Sequence, residues 1–224
     1  MFFGAWLMYV GTPLYNMIVL DDDKNLDKKY EKKFLQSKLF LIPLYAYVLG
    51  MLITHIWCMA LFSTGPYKFD HWMFDHKPEG VLQYLVFGFV ISFFGSLSSL
   101  AGHELVHHKE WYNKLVGNIP YTQAFYSHFW DEHTRGHHKD IATPLDPVCH
   151  DTGVDCYTGM FKAVVGTHTK TWARENQRLQ AHYGTKDISS FTILTENRMV
   201  HYFVLHCCMV WAIYEAFGMG GVKF

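Results

Sequence analysis

Three long stretches of this chain carry almost no charge, and no other feature constrains its fold as much. Leu39 to Ser63, Val81 to Gly102 and about Val200 to Val222 are each long enough, as helices, to cross a bilayer. The hydrocarbon core is roughly 30 Å thick and takes about 20 apolar residues. Inside it every backbone polar group must be satisfied within the protein, which favours helices for runs of this length. The fold class expected is therefore all-α, an integral membrane helical bundle. A fourth stretch, Met1 to Leu20, is nearly as apolar but is interrupted by Gly11, Thr12 and Pro13. It has neither a basic start nor an A-x-A-like cleavage site, so it reads as a truncated or kinked span rather than a signal sequence. The organisation expected is a single membrane domain over residues 1–224. It has about four transmembrane helices, near 1–20, 39–63, 81–102 and 200–222, and a histidine-rich cap over 103–198.

Composition removes several function classes. With 50% apolar and 17% charged residues, the chain is not disordered. Nineteen basic against twenty acidic residues leave a net charge of −1 and no basic stripe, so nucleic acid is not an expected partner. The five cysteines show no C-x-x-C spacing and no even-numbered framework, which gives neither a disulfide scaffold nor a thiolate zinc site. Lysines and arginines indicate orientation, because cytoplasmic flanks are enriched in them. The segment 21–38 holds six lysines and 65–80 only Lys68 and Lys77. If each span crosses once, the cap lies on the inner face, cytosol or matrix.

Within the cap, Tyr157, Phe161, Val164, Val165, His168, Trp172 and Leu179 repeat at helical spacing. Such a helix either lies along the membrane surface or packs on the protein's own cap. In the span 81–102, Gly88, Ser92, Gly95 or Ser96, Ser99 and Gly102 share one face. Small residues so placed admit a neighbouring helix at close range, or leave a slot for an alkyl chain.

Histidine carries the chemical signal. The span 81–102 runs directly into His103-Glu104-Leu105-Val106-His107-His108, and a second cluster reads Glu132-His133-Thr134-Arg135-Gly136-His137-His138. On a helix, residues four apart share a face, so the pairs His103/His107 and His133/His137 can each aim at one metal-sized space, with His138 extending the second. Imidazole suits iron, zinc and copper. The candidate metal ligands are therefore His103, His107, His133, His137 and His138. Glu104, Glu132, Asp140 and Asp146 are placed to orient ring nitrogens. Taken alone, His103-Glu104-x-x-His107 matches the H-E-x-x-H zinc-protease motif, with Glu104 as base. That reading leaves three imidazoles of the second cluster unused, and a histidine-rich dinuclear iron centre accounts for more residues.

The sequence resembles the membrane-bound alkane 1-monooxygenase family, within the fatty acid desaturase and hydroxylase superfamily. The resemblance rests on His103-Glu104-Leu105-Val106-His107-His108-Lys109 and on Glu132-His133-Thr134-Arg135-Gly136-His137-His138 followed by Ala142-Thr143-Pro144-Leu145-Asp146-Pro147. Weaker similarity extends to Pro13-Leu14-Tyr15-Asn16, to Asp22-Asp23-Lys24-Asn25 and through Trp172 to Leu179. The resemblance implies a helical membrane bundle, oxygen activation at two irons and electrons from a rubredoxin- or ferredoxin-like donor. It also implies terminal hydroxylation of an alkane or fatty-acyl chain, with His103, His107, His133, His137 and His138 as iron ligands.

The family pattern also includes a further span before this chain's start and a third histidine box after the last span, and this sequence has neither. His182-Tyr183-Gly184 spells the family's H-Y-G but lies before the last span. Five imidazoles cannot fill two iron shells. The readings left open are a fragment or half of a split enzyme completed by a second chain, a non-catalytic structural subunit of a larger membrane complex, and a simpler mononuclear site. His55, His201 and His206, inside apolar spans, are assigned no role.

Overall fold

A computed structural model describes residues 6–19, 27–35, 37–67 and 80–224. Its helices run α1 (Thr12–Ile18), α2 (Lys28–Leu35), α3 (Leu41–Leu61), α4 (Val81–Val106), α5 (Trp111–Gly117), α6 (Ile119–Gln123), α7 (Phe129–Glu132), α8 (His138–Asp140), α9 (Cys156–Tyr183), α10 (Ser190–Glu196) and α11 (Arg198–Lys223). There is no strand among the described residues. Three segments, Lys38–Leu61, Val81–Val106 and Arg198–Lys223, are long and apolar enough to cross a membrane. At about 1.5 Å per residue, their 24 to 26 residues exceed the hydrocarbon thickness. The chain is an integral membrane helical bundle.

The fourth expected crossing falls partly outside the described residues. Where it is described, it is helical but short. A wide turn over Leu7–Gly11 feeds α1 without the expected break, because Pro13 enters in the first turn, where a missing N–H costs little. The Thr12 hydroxyl donates to Leu7 O. The stretch Asp22 to Asn25, and Lys68 and Lys77 of the orientation count, lie outside the described residues.

Helix α4 continues one turn past the expected Gly102, so His103 rides its last turn and His107 caps its end. Two devices anchor that end. Val48 of α3 packs with Ala101 and Leu105 of α4 in a core flanked by Leu44, Tyr45, Val116 and Ile119. Gly102 and Gly117 bring α4 and α5 into backbone contact. A Cβ on Gly102 would lie 2.5 Å from Gly117 O and 2.9 Å from the Pro120 ring. Hydroxyl bonds reinforce the join, Tyr121 to Ser99 O at 2.6 Å and Tyr45 to Asn113.

The small-residue face of α4 therefore has two uses. Gly95 and Gly102 are packing positions, the first against His55 and the second against α5. Gly88 has no neighbour within 4 Å and, with Ser92, borders a cavity of about 220 Å³.

The histidines and the chain's last residue lie at opposite ends of the bundle. Phe224 stacks on Phe62 at the end of α3 and meets Phe87 near the start of α4. Helix α11 is interrupted at Gly218, whose φ of 65° is a left-handed conformation that glycine adopts freely. There Phe217 O accepts the N–H groups of Thr64 and Gly65.

The glycine contact gives a paired test. Gly102→Ala forces α5 off α4 and should destabilise the chain by roughly 1–3 kcal/mol, as overpacking does. Gly88→Ala meets open space and should melt as the wild type does. Thermal midpoints of the two variants in one detergent compare them directly.

Candidate metal centre

The turn that carries the second histidine cluster is not α-helical. Between α7 and α8, His133–His137 form a π-turn, and the His138 N–H reaches back five residues to His133 O. Such one-turn bulges are rare and frequent at functional sites. Register is the consequence. The α-helical spacing pairs His133 with His137, whereas the π-turn sets the Nε2 of His138 3.0 Å from that of His133.

Gly136 explains why the chain can make this turn here. A Cβ at that position would lie 2.5 Å from a Glu132 oxygen and 2.6 Å from the Arg174 guanidinium. The buried Glu132 carboxylate pairs with Arg174 and accepts the Thr171 hydroxyl at 3.1 Å, both from α9. Arg174 also donates to Asp131 O. Behind this pair, Asp131 meets Arg135 at 2.8 Å and Arg198 at 3.5 Å, while Glu175 is held by Arg178 at 3.0 Å and Arg198 at 3.6 Å. Asp131, Glu132 and Glu175 are at most 3% exposed. Two guanidinium groups, Arg174 from α9 and Arg198 from α11, thus tie the turn to those helices, while Arg135 and Arg178 each pair within their own segment.

The imidazoles converge around it. Nε2 of His107 lies 3.2 Å from that of His103 and 3.2 Å from that of His133. With the His133–His138 contact, four ring nitrogens form a chain of three close approaches. A neutral imidazole nitrogen offers either one N–H or one lone pair, so each Nε2 can join a single hydrogen bond. His107 and His133 would each need two. One approach therefore lacks a hydrogen bond, whereas a cation among them would meet lone pairs from all sides. Donors at 2.0–2.1 Å from one ion, at angles from square to tetrahedral, sit about 2.8–3.4 Å apart. The observed spacings fall in that range, and the ligand atoms of His103, His107 and His133 lie within 4.8 Å of one another.

His137 faces another partner. Its Nδ1 donates to Asp146 Oδ2 at 2.7 Å, which leaves Nε2 with its lone pair, the tautomer a ligand needs. Its ring stacks on His133 at 5.3 Å. Asp146 also accepts the Cys149 thiol at 2.9 Å and the Val148 N–H at 3.0 Å. Burial opposes ionisation of this carboxyl, but those donors outweigh it and hold it below the usual carboxylate range. Of the four acidic neighbours, only Asp146 among the described contacts orients a ring. Glu132 belongs to the arginine network, Asp140 pairs with Lys170 at 3.7 Å, and Glu104 is exposed beside an apolar groove with Pro43, Leu44 and Leu97.

Electrostatics favour neutral rings. Burial, with the nearby imidazoles of His103 and His138, pulls His133 down to about 3. Burial and the same neighbours lower His107. His128, outside the spacing pattern, is also down to about 3, because it is 2% exposed and faces His168 and His206. Isolated in sequence, it carries no motif, and only Trp130 and the apolar residues around it hinted at burial.

Two further expectations resolve here. Helix α9 turns Thr167, Thr171, Glu175 and Leu179 inward and leaves Tyr157, Phe161, Val164 and Val165 exposed. The expected stripe is thus split: its first four members face out, His168 and Trp172 border a cavity, and Leu179 is buried. His182-Tyr183-Gly184 ends that helix. Gly184 caps it at φ 65°, and the Tyr183 hydroxyl donates to Glu196.

A pH prediction follows from the two strongly depressed histidines. Both stay neutral in the folded chain but take up protons in the unfolded chain below about 6.5. Stability is then lost as pH falls from about 6.5 toward 3. His128→Phe removes one of the two contributions, so its metal-free thermal midpoint should fall less steeply over that range than the wild type's.

No protein-family model matches the chain. Curated relatives do. Alkane 1-monooxygenase 1 of Alcanivorax borkumensis is 30% identical over 173 residues, 77% of this chain and 40% of that protein. The alkane 1-monooxygenase of Ectopseudomonas oleovorans is 27% identical over 80% of this chain and 42% of its own length. Alkane 1-monooxygenase 1 of Pseudomonas aeruginosa is 25% identical over 95% and 52%. The chain spans about half or less of the length of these relatives. With both histidine clusters, the helical membrane bundle and this breadth of similarity, the chain belongs to the alkane 1-monooxygenase family.

Proposed function

We propose that this chain holds iron at His103, His107, His133, His137 and His138 and contributes that centre to the hydroxylation of an alkane or fatty-acyl chain. The observation that supports it is the cluster of four Nε2 atoms, which hydrogen bonds alone cannot satisfy. Two iron shells need more donors than these five, so a di-iron centre takes further ligands from outside this set, as in a second chain. Iron, when bound, supplies the activation of oxygen and the electron transfer that carbon–hydrogen chemistry requires.

The chain's own residues do the rest. The π-turn aims His133 and His138, Asp146 fixes the His137 tautomer, and the arginine network keeps the turn from relaxing. The depressed affinity of His133 and His107 for protons keeps their lone pairs available at neutral pH. The groove of Pro43, Leu44, Tyr47, Leu97 and Leu100, about 470 Å³, is mostly apolar, with His103 and Glu104 as its polar end, and suits an alkyl chain arriving from the bilayer. In this reading electrons come from a rubredoxin- or ferredoxin-like protein that meets the cap on the inner face, the orientation that the lysine count supports.

Iron content is the first test. Chain purified from iron-replete cells should hold iron, and His133→Ala should lose it while keeping its helical content. Asp146→Asn, which removes the anchor of His137, should weaken iron binding by about 10–100-fold. A chain that takes up no ferrous iron, in the presence or absence of its co-purifying partners, overturns the reading and leaves the structural-subunit alternative.

A further inference from the structure

A second group of histidines, two from the cap and one from α11, is not used by the candidate metal centre. His128, His168 and His206 border one cavity of about 520 Å³, closed by Trp172, Val200 and Phe203. The two groups are connected through Tyr126, whose ring lies against His128 and His168 and 6.3 Å from Phe129.

Hydrogen bonds fix which nitrogens of this group carry protons. The Thr122 hydroxyl donates to Asn118 O at 2.9 Å, and the Ser127 hydroxyl donates to Thr122 Oγ1 at 2.9 Å. Each hydroxyl has one proton, so the 2.8 Å contact between Ser127 Oγ and His206 Nε2 is an N–H donation from the ring. The Nδ1 of His206 is left with a lone pair. His168 donates from Nδ1 to Val164 O at 2.8 Å, which leaves its Nε2 with a lone pair as well. His128 Nε2 is buried with no hydrogen-bond partner.

Lone pairs on His206 Nδ1 and His168 Nε2, together with the buried Nε2 of His128, thus leave this group able to accept from a donor. A single ion is a poor match, because these three residues do not form one of the groups whose ligand atoms lie within 4.8 Å of one another. A charged head group is equally poorly served, because among the described residues no Asp, Glu, Lys or Arg lines the cavity. A neutral hydroxyl donates one hydrogen bond and accepts others, which fits.

A neighbouring cavity indicates what the hydroxyl is attached to. Phe125 lines this cavity and also a second one, about 670 Å³, between α3 and α11, walled mostly by apolar side chains such as Leu52, Ile56, Met59, Met209 and Ile213, with His55, Gln123 and Lys223 also on its lining. Phe125 itself holds φ at 57°, uncommon for a non-glycine residue, with its ring 5.1 Å from His206. Strained residues of this kind cluster at clamps and gates.

We propose that His128, His168 and His206 bind the hydroxyl of a long-chain alcohol whose alkyl tail passes Phe125 into the apolar cavity along α11. The site is separate from the metal centre and does not rest on that reading.

Binding of tritiated dodecanol to the full chain in detergent micelles, corrected for empty micelles, tests it. Binding should saturate, and unlabelled dodecane or dodecanoate should compete at least about tenfold less well than dodecanol, because buried acceptors go unpaired or meet a charge. His168→Phe should weaken binding about tenfold, while His168→Gln, which keeps an acceptor oxygen, should retain most of it. Val200→Trp, which fills the cavity without replacing an imidazole, should also block binding. His137→Ala should bind dodecanol as the wild type does, so loss of the metal centre and loss of this site are read separately. Equal competition by dodecane, or wild-type binding by His168→Phe and His206→Phe variants that melt normally, overturns the proposal.

Discussion

The buried pair of Glu132 and Arg174 passes over Gly136, and the rest of the cap depends on it. A carboxylate withdrawn from water is costly unless it is paired, and here Arg174 and Thr171 both converge on one of its oxygens, Oε2. The pair leaves no room for a side chain at residue 136, and only the wide turn lets the backbone pass beneath it. That turn, in exchange, redirects one imidazole. The site's geometry is therefore set from behind, by charges that never face the ring nitrogens. Asp131 and Glu175 extend the same arrangement to α11, so a membrane span and the cap share one electrostatic anchor.

Much of this was legible in the sequence, for specific reasons. Length and lack of charge marked the three spans, because a bilayer leaves few alternatives for such runs. The two histidine clusters stood out because imidazoles at matched spacing twice in 36 residues are rare. The π-turn was not legible. Its sequence, HTRGH, is compatible with an ordinary helix, and only the packing of α9 against it reveals the extra residue per turn. For the same reason the spacing paired His133 with His137 instead of His138. Glu132 looked like a partner for a ring, and nothing local shows that Arg174, 42 residues on, claims it first.

The second histidine group was hidden for a different reason. His128, His168 and His206 come from three separated segments, and each sits alone among apolar or hydroxyl neighbours. Their meeting is a matter of tertiary structure alone. His206 illustrates the point, since inside a span it reads as an isolated polar residue, yet its partner is Ser127 of the cap.

Helix α9 inverts the usual plan of a globular cap. Threonines and a glutamate point inward, and aromatic residues point out. Apolar burial within the chain therefore contributes little along the first half of this helix. Its inward face instead carries Thr171 and Arg174, so one helix supplies both the clamp behind the histidine turn and part of the cap's apolar outer surface.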